Sequence, residues 1–238
     1  MCDCMDLTNG ICDGIRLRIE NIIRYVKLWF WWIKSYETSD SILLELSREV
    51  AASLGVKPFK KVKIAYRDDI INAAAIGFLC RTLVLSQGIL NTLTFDELKT
   101  VVLHEYAHCQ QRHHVKLLAT GLSIALTGVL PYLSIVFYVD SEVMLLILAG
   151  IIFTLTYIAM LVFTRYLTRR FEEEADLIVV KNLENPRLYL QVLQKIALRH
   201  PDGRIGLREK LFSSHPSVNE RLRKLCRYMV RCGGPGGI

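Results

Sequence analysis

The sequence predicts a mostly helical α+β chain with a small β-sheet and a two-helix membrane hairpin inserted into it. Three observations predict this class. Two uncharged apolar runs, residues 117–139 and 143–164, are separated only by Asp140, Ser141 and Glu142. Three short stretches of β-forming pattern, 62–66, 73–78 and 82–85, lie close together upstream. Helix-start signals at Ser39 or Asp40, Thr94 and Asn185 open the remaining segments.

The 238 residues are 52% hydrophobic with a mean hydropathy of +0.29. That is more apolar surface than one core of this size hides, and the surplus belongs in lipid. At 1.5 Å per helical residue each apolar run is long enough to cross a hydrocarbon core about 30 Å thick. Buried helices of a soluble protein carry a polar stripe, whereas here only Thr, Ser, Gly and Tyr interrupt the runs. Pro131 should kink the first span, and neighbouring groups in a packed pair can satisfy the freed carbonyl. His113, His114 and Lys116 precede the first span, Arg165, Arg169 and Arg170 follow the second, and the only charges in the turn between them are acidic. The positive-inside rule therefore places both outer ends, and both termini of the chain, on the cytoplasmic face of a cell membrane.

Residues 15–34 alternate apolar and charged positions at helical spacing, with an aromatic end. The segment predicts an amphipathic helix lying in the headgroup region, its longest uncharged run being too short to span. Residues 1–11 carry acids and no apolar run, so no cleaved secretory signal is expected. Seven cysteines at irregular spacing read as reduced thiols of a reducing compartment. The formal charge of +7 accompanies no nucleic-acid motif, which leaves an anionic membrane face as its partner and excludes nucleic acid. The expected organisation is an interfacial segment at 1–36, a folded domain in two parts at 37–116 and 165–238, and the membrane hairpin at 117–164 between them.

Ser39 or Asp40 caps a helix to Ser53. Thr94 with Glu97 forms a capping box that opens a long helix through "VVLHEYAHCQQRHH", residues 101–114. On that helix His104 and His108, four residues apart, project from one face and can share one metal ion. Glu105 can reach a metal-activated water and is the natural general base; H-E-x-x-H on a helix is a zinc-hydrolase pattern. Such a site wants a third protein ligand and an open position. His113 and His114 lie two or more turns along the same helix and read as solvated or headgroup-facing. The cluster "FEEEAD" after the second span, with Glu172, Glu173, Glu174 and Asp176, is the better source, and only one of its three glutamates can face inward. The second span is expected to continue as helix through this cluster to about residue 183, and residues 214–230 to form the last helix.

Three ordered motifs, "SQGILNTLTFDELKTVVLHEYAHCQQRHH", "FEEEAD" and "FSSHPSVNERL", resemble the HtpX family of integral-membrane zinc metallopeptidases, which is related to the CAAX prenyl endopeptidases. The resemblance covers roughly residues 62–227. It implies a zincin-like (gluzincin) domain with the hairpin inserted between zinc ligands, and one catalytic zinc ion held by His104, His108 and Glu172. It also implies Glu105 as base and Asp176 hydrogen-bonded to a ligating histidine. By the same resemblance His215 would stabilise the oxyanion, Arg221 would brace the site, and Asn72 would stand on a substrate-binding edge strand. "NAAAIG", residues 72–77, lacks the aromatic usual there. Family members begin with two transmembrane helices, where this sequence has the amphipathic segment.

The activity implied is broad endopeptidase cleavage of polypeptides, membrane proteins among them, in stress response and quality control. Three other readings compete: a CAAX-processing protease, a catalytically silent zinc-binding scaffold, and a basic membrane-surface protein. The last accounts for the charge but leaves the site residues unexplained.

Overall fold

The computed structural model describes residues 32–77, 80–199 and 218–231. The interfacial helix expected at 15–34 falls almost wholly outside them, as does His215. The first described strand, β1 (Ser35–Glu37), crosses the boundary expected at residue 36 and pairs antiparallel with β2 (Lys61–Ala65). Between them runs α1 (Ser41–Ser53), capped by Asp40, whose carboxylate accepts from the Ile42 N–H at 2.9 Å. Leu43, Leu46, Ser47, Val50 and Ala51 form its buried stripe at the spacing of one helix face.

β2 pairs in parallel with β4 (Thr82–Ser86), and β3 (Ala73–Ile76) pairs antiparallel with β4, giving the sheet order β1-β2-β4-β3. β3 is therefore an edge strand. The short helix α2 (Gln87–Thr92), absent from the sequence reading, starts at Ser86, whose hydroxyl accepts from the Ile89 N–H and donates to the Ile70 carbonyl. Gly88 sits so close to the Ile70 carbonyl that no Cβ fits there.

Helix α3 (Phe95–Gln110) has the complete expected capping box of Thr94 and Glu97. It packs Val101, Val102, Leu103 and Tyr106 into the main core, with Leu46, Val50, Val62, Leu83 and Leu85 of α1 and the sheet. Tyr106 is fully buried, yet its hydroxyl is satisfied by Ser47 at 2.8 Å and by the Phe59 N–H at 2.9 Å.

One element departs from expectation at a place that matters. The helix does not run through His114: it ends at Gln110, and Arg112 takes a left-handed conformation, φ 53°. A new helix, α4 (His113–Tyr138), starts in a different direction. It contains Pro131 and pairs with α5 (Glu142–Asn182) across the turn at 139–141. Both are long and apolar enough to cross a membrane, and hardly any of that apolar surface is buried within the protein, which a core helix of a soluble protein would not allow. At their crossing Gly128 faces Thr156 without room for a side chain. α5 continues unbroken into the folded domain, as expected, where Phe171, Glu172, Ala175, Asp176, Val179 and Val180 form a single buried stripe. α6 (Pro186–Arg199), with Asn185 accepting from the Arg187 N–H, and α7 (Val218–Arg231) close the domain over α5.

The cysteines also depart from expectation. Cys80 and Cys109 form a disulfide that joins the β3–β4 turn to the last turn of α3, while Cys226 is free and exposed. Irregular spacing gave no cue, because the pairing is made by a turn folding back onto a helix 29 residues further along the chain.

Candidate metal centre

The inner faces of α3 and α5 meet beneath the sheet edge, and the meeting point collects the acids and imidazoles. From α3, His104 and His108 stack one turn apart, their Nε2 atoms 3.1 Å from each other. From α5, the Glu172 carboxylate lies 3.4 Å from His104 Nε2 and 3.5 Å from His108 Nε2. All three donor atoms fall within 4.8 Å of one another, the spacing of a set that could hold one metal ion. Glu172 is the inward-facing glutamate of the cluster because it shares the buried stripe of α5; Glu173 turns away to pair with Lys224.

The remaining ring nitrogens are also engaged. His104 Nδ1 is 3.2 Å from Asp176 Oδ1 and 3.0 Å from the Tyr189 hydroxyl, which itself donates to Asp176 at 2.7 Å. Arg221, from α7, donates to Asp176 through two nitrogens at 2.9 and 2.5 Å and to Tyr189 at 2.8 Å, and lies 3.3 Å from Glu172. One guanidinium thus neutralises two carboxylates that would otherwise repel within a closed site. Burial raises the Asp176 carboxyl, but Arg221 and His104 more than offset this and bring it down to about 2. Burial and Arg221 lower the His104 imidazole, and hydrogen bonds to Asp176 and Glu172 overcome them, raising it to about 9.

Sequence reasoning missed two of these neighbours. Tyr189 is a single aromatic on a helix that reads as generic, and nothing in its local pattern marks it. His113 was expected to be solvated or headgroup-facing, and instead it is only 3% exposed within the folded chain. The left-handed turn at Arg112 redirects the chain and returns its ring to His108, Nδ1 to Nδ1, at 2.9 Å.

Glu105 points the other way, toward the sheet edge. Its Oε2 accepts the Ala75 N–H of β3 at 2.8 Å, which ties the carboxylate to that edge strand. Asn72 precedes that strand, exposed; its side chain accepts from the Ala73 N–H and its own N–H donates to Ser86. The structure therefore brings His104, His108, Glu172, Asp176 and Arg221 together, turns the Glu105 carboxylate to the neighbouring strand β3, and leaves Asn72 at the strand entrance.

The model of peptidase family M48 matches residues 39–229, most of the chain. The chain belongs to peptidase family M48. Membership makes it a metallopeptidase, and the two apolar helices make it a membrane-bound one. It is 28% identical over 235 residues to a protein named Protease HtpX homolog from Bacteroides fragilis (strain YCH46), covering 82% of this chain and 71% of that one. A Protease HtpX homolog of Persephonella marina is 27% identical over 220 residues, covering 80% and 76%. Among solved structures, S. mikatae Ste24p superposes with a TM-score of 0.63 at 19% identity. That match covers 89% of this chain but 56% of Ste24p, so the chain spans little more than half of that protein, and the likeness is one of fold.

Proposed function

We propose that this M48 metallopeptidase is a zinc-dependent endopeptidase of the H-E-x-x-H type. The convergence of His104, His108 and Glu172 beside Glu105 carries this reading. Two imidazoles and one carboxylate are the donor set that suits zinc with an open fourth position. When bound there, zinc would supply Lewis acidity, polarising the scissile carbonyl and acidifying water.

The protein's own groups would do the rest. Glu105 takes the proton from the attacking water and delivers it to the leaving amine; its carboxylate also accepts the Ala75 N–H of β3. Asp176 accepts from His104 Nδ1–H, which orients the ring and raises its basicity, and Arg221 keeps Asp176 ionised. His215 is the proposed oxyanion donor. The edge strand β3 offers its outer side to an extended polypeptide, a mode that reads backbone more than side chains. Broad specificity follows, as removal of misfolded or unassembled membrane proteins requires. The basic flanks of the hairpin favour a cytoplasmic catalytic face.

The test is zinc content and casein cleavage by detergent-purified wild type beside Glu105→Gln. The expected result is close to one zinc per chain in both, with cleavage by the wild type alone. Zinc without cleavage in either protein would favour a silent scaffold or a narrower, CAAX-type specificity, which prenylated peptides would separate.

A further inference from the structure

We propose that His113 and Glu174 are positioning residues for His108, forming an imidazole-to-imidazole-to-carboxylate chain, buried at His113 and reaching the surface at Glu174, that sets the tautomer and angle of the metal-binding ring. This rests on the reading of His108 as a metal ligand. His108 turns Nε2 toward His104 and Glu172 and Nδ1 toward His113 Nδ1, 2.9 Å away. A neutral imidazole that offers the Nε2 lone pair to a cation carries its proton on Nδ1. That proton can be donated only if His113 Nδ1 accepts, which places the proton of His113 on Nε2. His113 Nε2 in turn lies 3.1 Å from Glu174 Oε2, a carboxylate oxygen placed to accept. Each donor along the path faces an acceptor, and only one assignment of protons satisfies both contacts.

The surroundings hold the ring in this pose. His113 stacks on Phe171 with centroids 4.3 Å apart and planes 8° from parallel, and Lys116 covers the same phenyl ring at 5.7 Å. The ring meets His108 edge-on at 5.0 Å. The arrangement requires the left-handed Arg112, since on an unbroken helix residue 113 would leave the site. It also gives the two histidines different supports: His104 leans on Asp176, Tyr189 and Arg221 in the interior, whereas His108 leans on a carboxylate whose side chain is 46% exposed. Glu174, two residues from Glu172, thereby takes a role that its place on the outer side of α5 does not suggest.

Two variants separate orientation from packing. His113→Phe keeps an aromatic ring against Phe171 and removes the acceptor; His113→Asn removes the ring and keeps an acceptor oxygen where Nδ1 stands. Zinc affinity of the full chain in detergent is measured by competition with a chromogenic chelator, with His108→Ala as reference and a thermal melt of each zinc-free protein. The expected result is binding about 10- to 100-fold weaker in His113→Phe, a value close to wild type in His113→Asn, and an intermediate loss in Glu174→Ala. Wild-type affinity in His113→Phe, or equal weakening by Phe and Asn, would overturn the proposal. If His113→Phe does not fold, His113→Leu makes the same comparison with Asn. Should His108→Ala itself retain wild-type affinity, the metal-site reading fails and not the positioning role alone.

Discussion

Arg221 is the residue on which the closed part of the site depends. It is the cation shared by Asp176 and Glu172, two carboxylates only 2% and 3% exposed. Arg221→Leu leaves the two carboxylates to share the His104 imidazole and should cost about 3–5 kcal/mol in the zinc-free protein, read by denaturant titration, with much of the loss recovered when zinc is added. Tyr189→Phe removes one hydroxyl from the same cluster and should cost about 1–2 kcal/mol. A double variant whose cost falls well short of the sum would show that the two act on one network. Residue types and spacing made His104, Glu105 and His108 legible in the sequence, because helical geometry alone aligns positions four apart; spacing left the third ligand among three glutamates, and only the family resemblance named Glu172. Tyr189 and His113 were not legible: each reaches the site through a tertiary path, one from a later helix and one through a reversed turn.

At the scale of elements, α3 is held at both ends by features of different visibility. Its start was readable from Thr94 and Glu97, and the structure adds Lys195 from α6, 2.5 Å from the Glu97 carboxylate. Burial raises the Glu97 carboxyl, and hydrogen bonds from Lys195 and Thr94 overcome this and lower it. A carboxyl lowered in the folded state stabilises above its unfolded pKa, and that stability is lost as pH falls through the folded value. Glu97→Gln should therefore flatten the acid side of the stability profile below about pH 5, measured by melts across pH, and Glu97→Ala should cost about 1 kcal/mol at neutral pH. The far end of α3 is tied by Cys80–Cys109, and Cys80 holds φ 48°, a left-handed conformation that a non-glycine residue adopts at a cost. Chain entropy over a separation of 29 residues makes the cross-link worth about 3–4 kcal/mol. Reductant should lower the unfolding free energy of the wild type and leave Cys109→Ser unchanged; equal sensitivity in both would remove the role.

For the whole molecule, the main architectural fact is that α5 is one helix of 41 residues. It is lipid-facing in its first half, and in its second half it carries Glu172 and Asp176 on a buried stripe. The membrane hairpin and the metal centre therefore share a rigid element. If the proposed orientation holds, a cysteine placed at Asp140 in a background lacking the other exposed thiols will react with a membrane-impermeant reagent from the side opposite the catalytic domain. Labelling from the catalytic side would reverse the topology. The sequence by itself determined the two helices apolar and long enough to span, the capped helix with its paired histidines, the glutamate cluster and three of the four strands of the sheet, because each follows from periodicity, hydropathy or capping within a few turns of chain. The tertiary structure alone decided which glutamate faces the histidines, where Arg221 and Tyr189 dock, that Cys80 meets Cys109, and that His113 returns to His108. The physical reason is the same in each case. These contacts join residues far apart in sequence, or depend on one backbone angle at Arg112, and local pattern does not specify either.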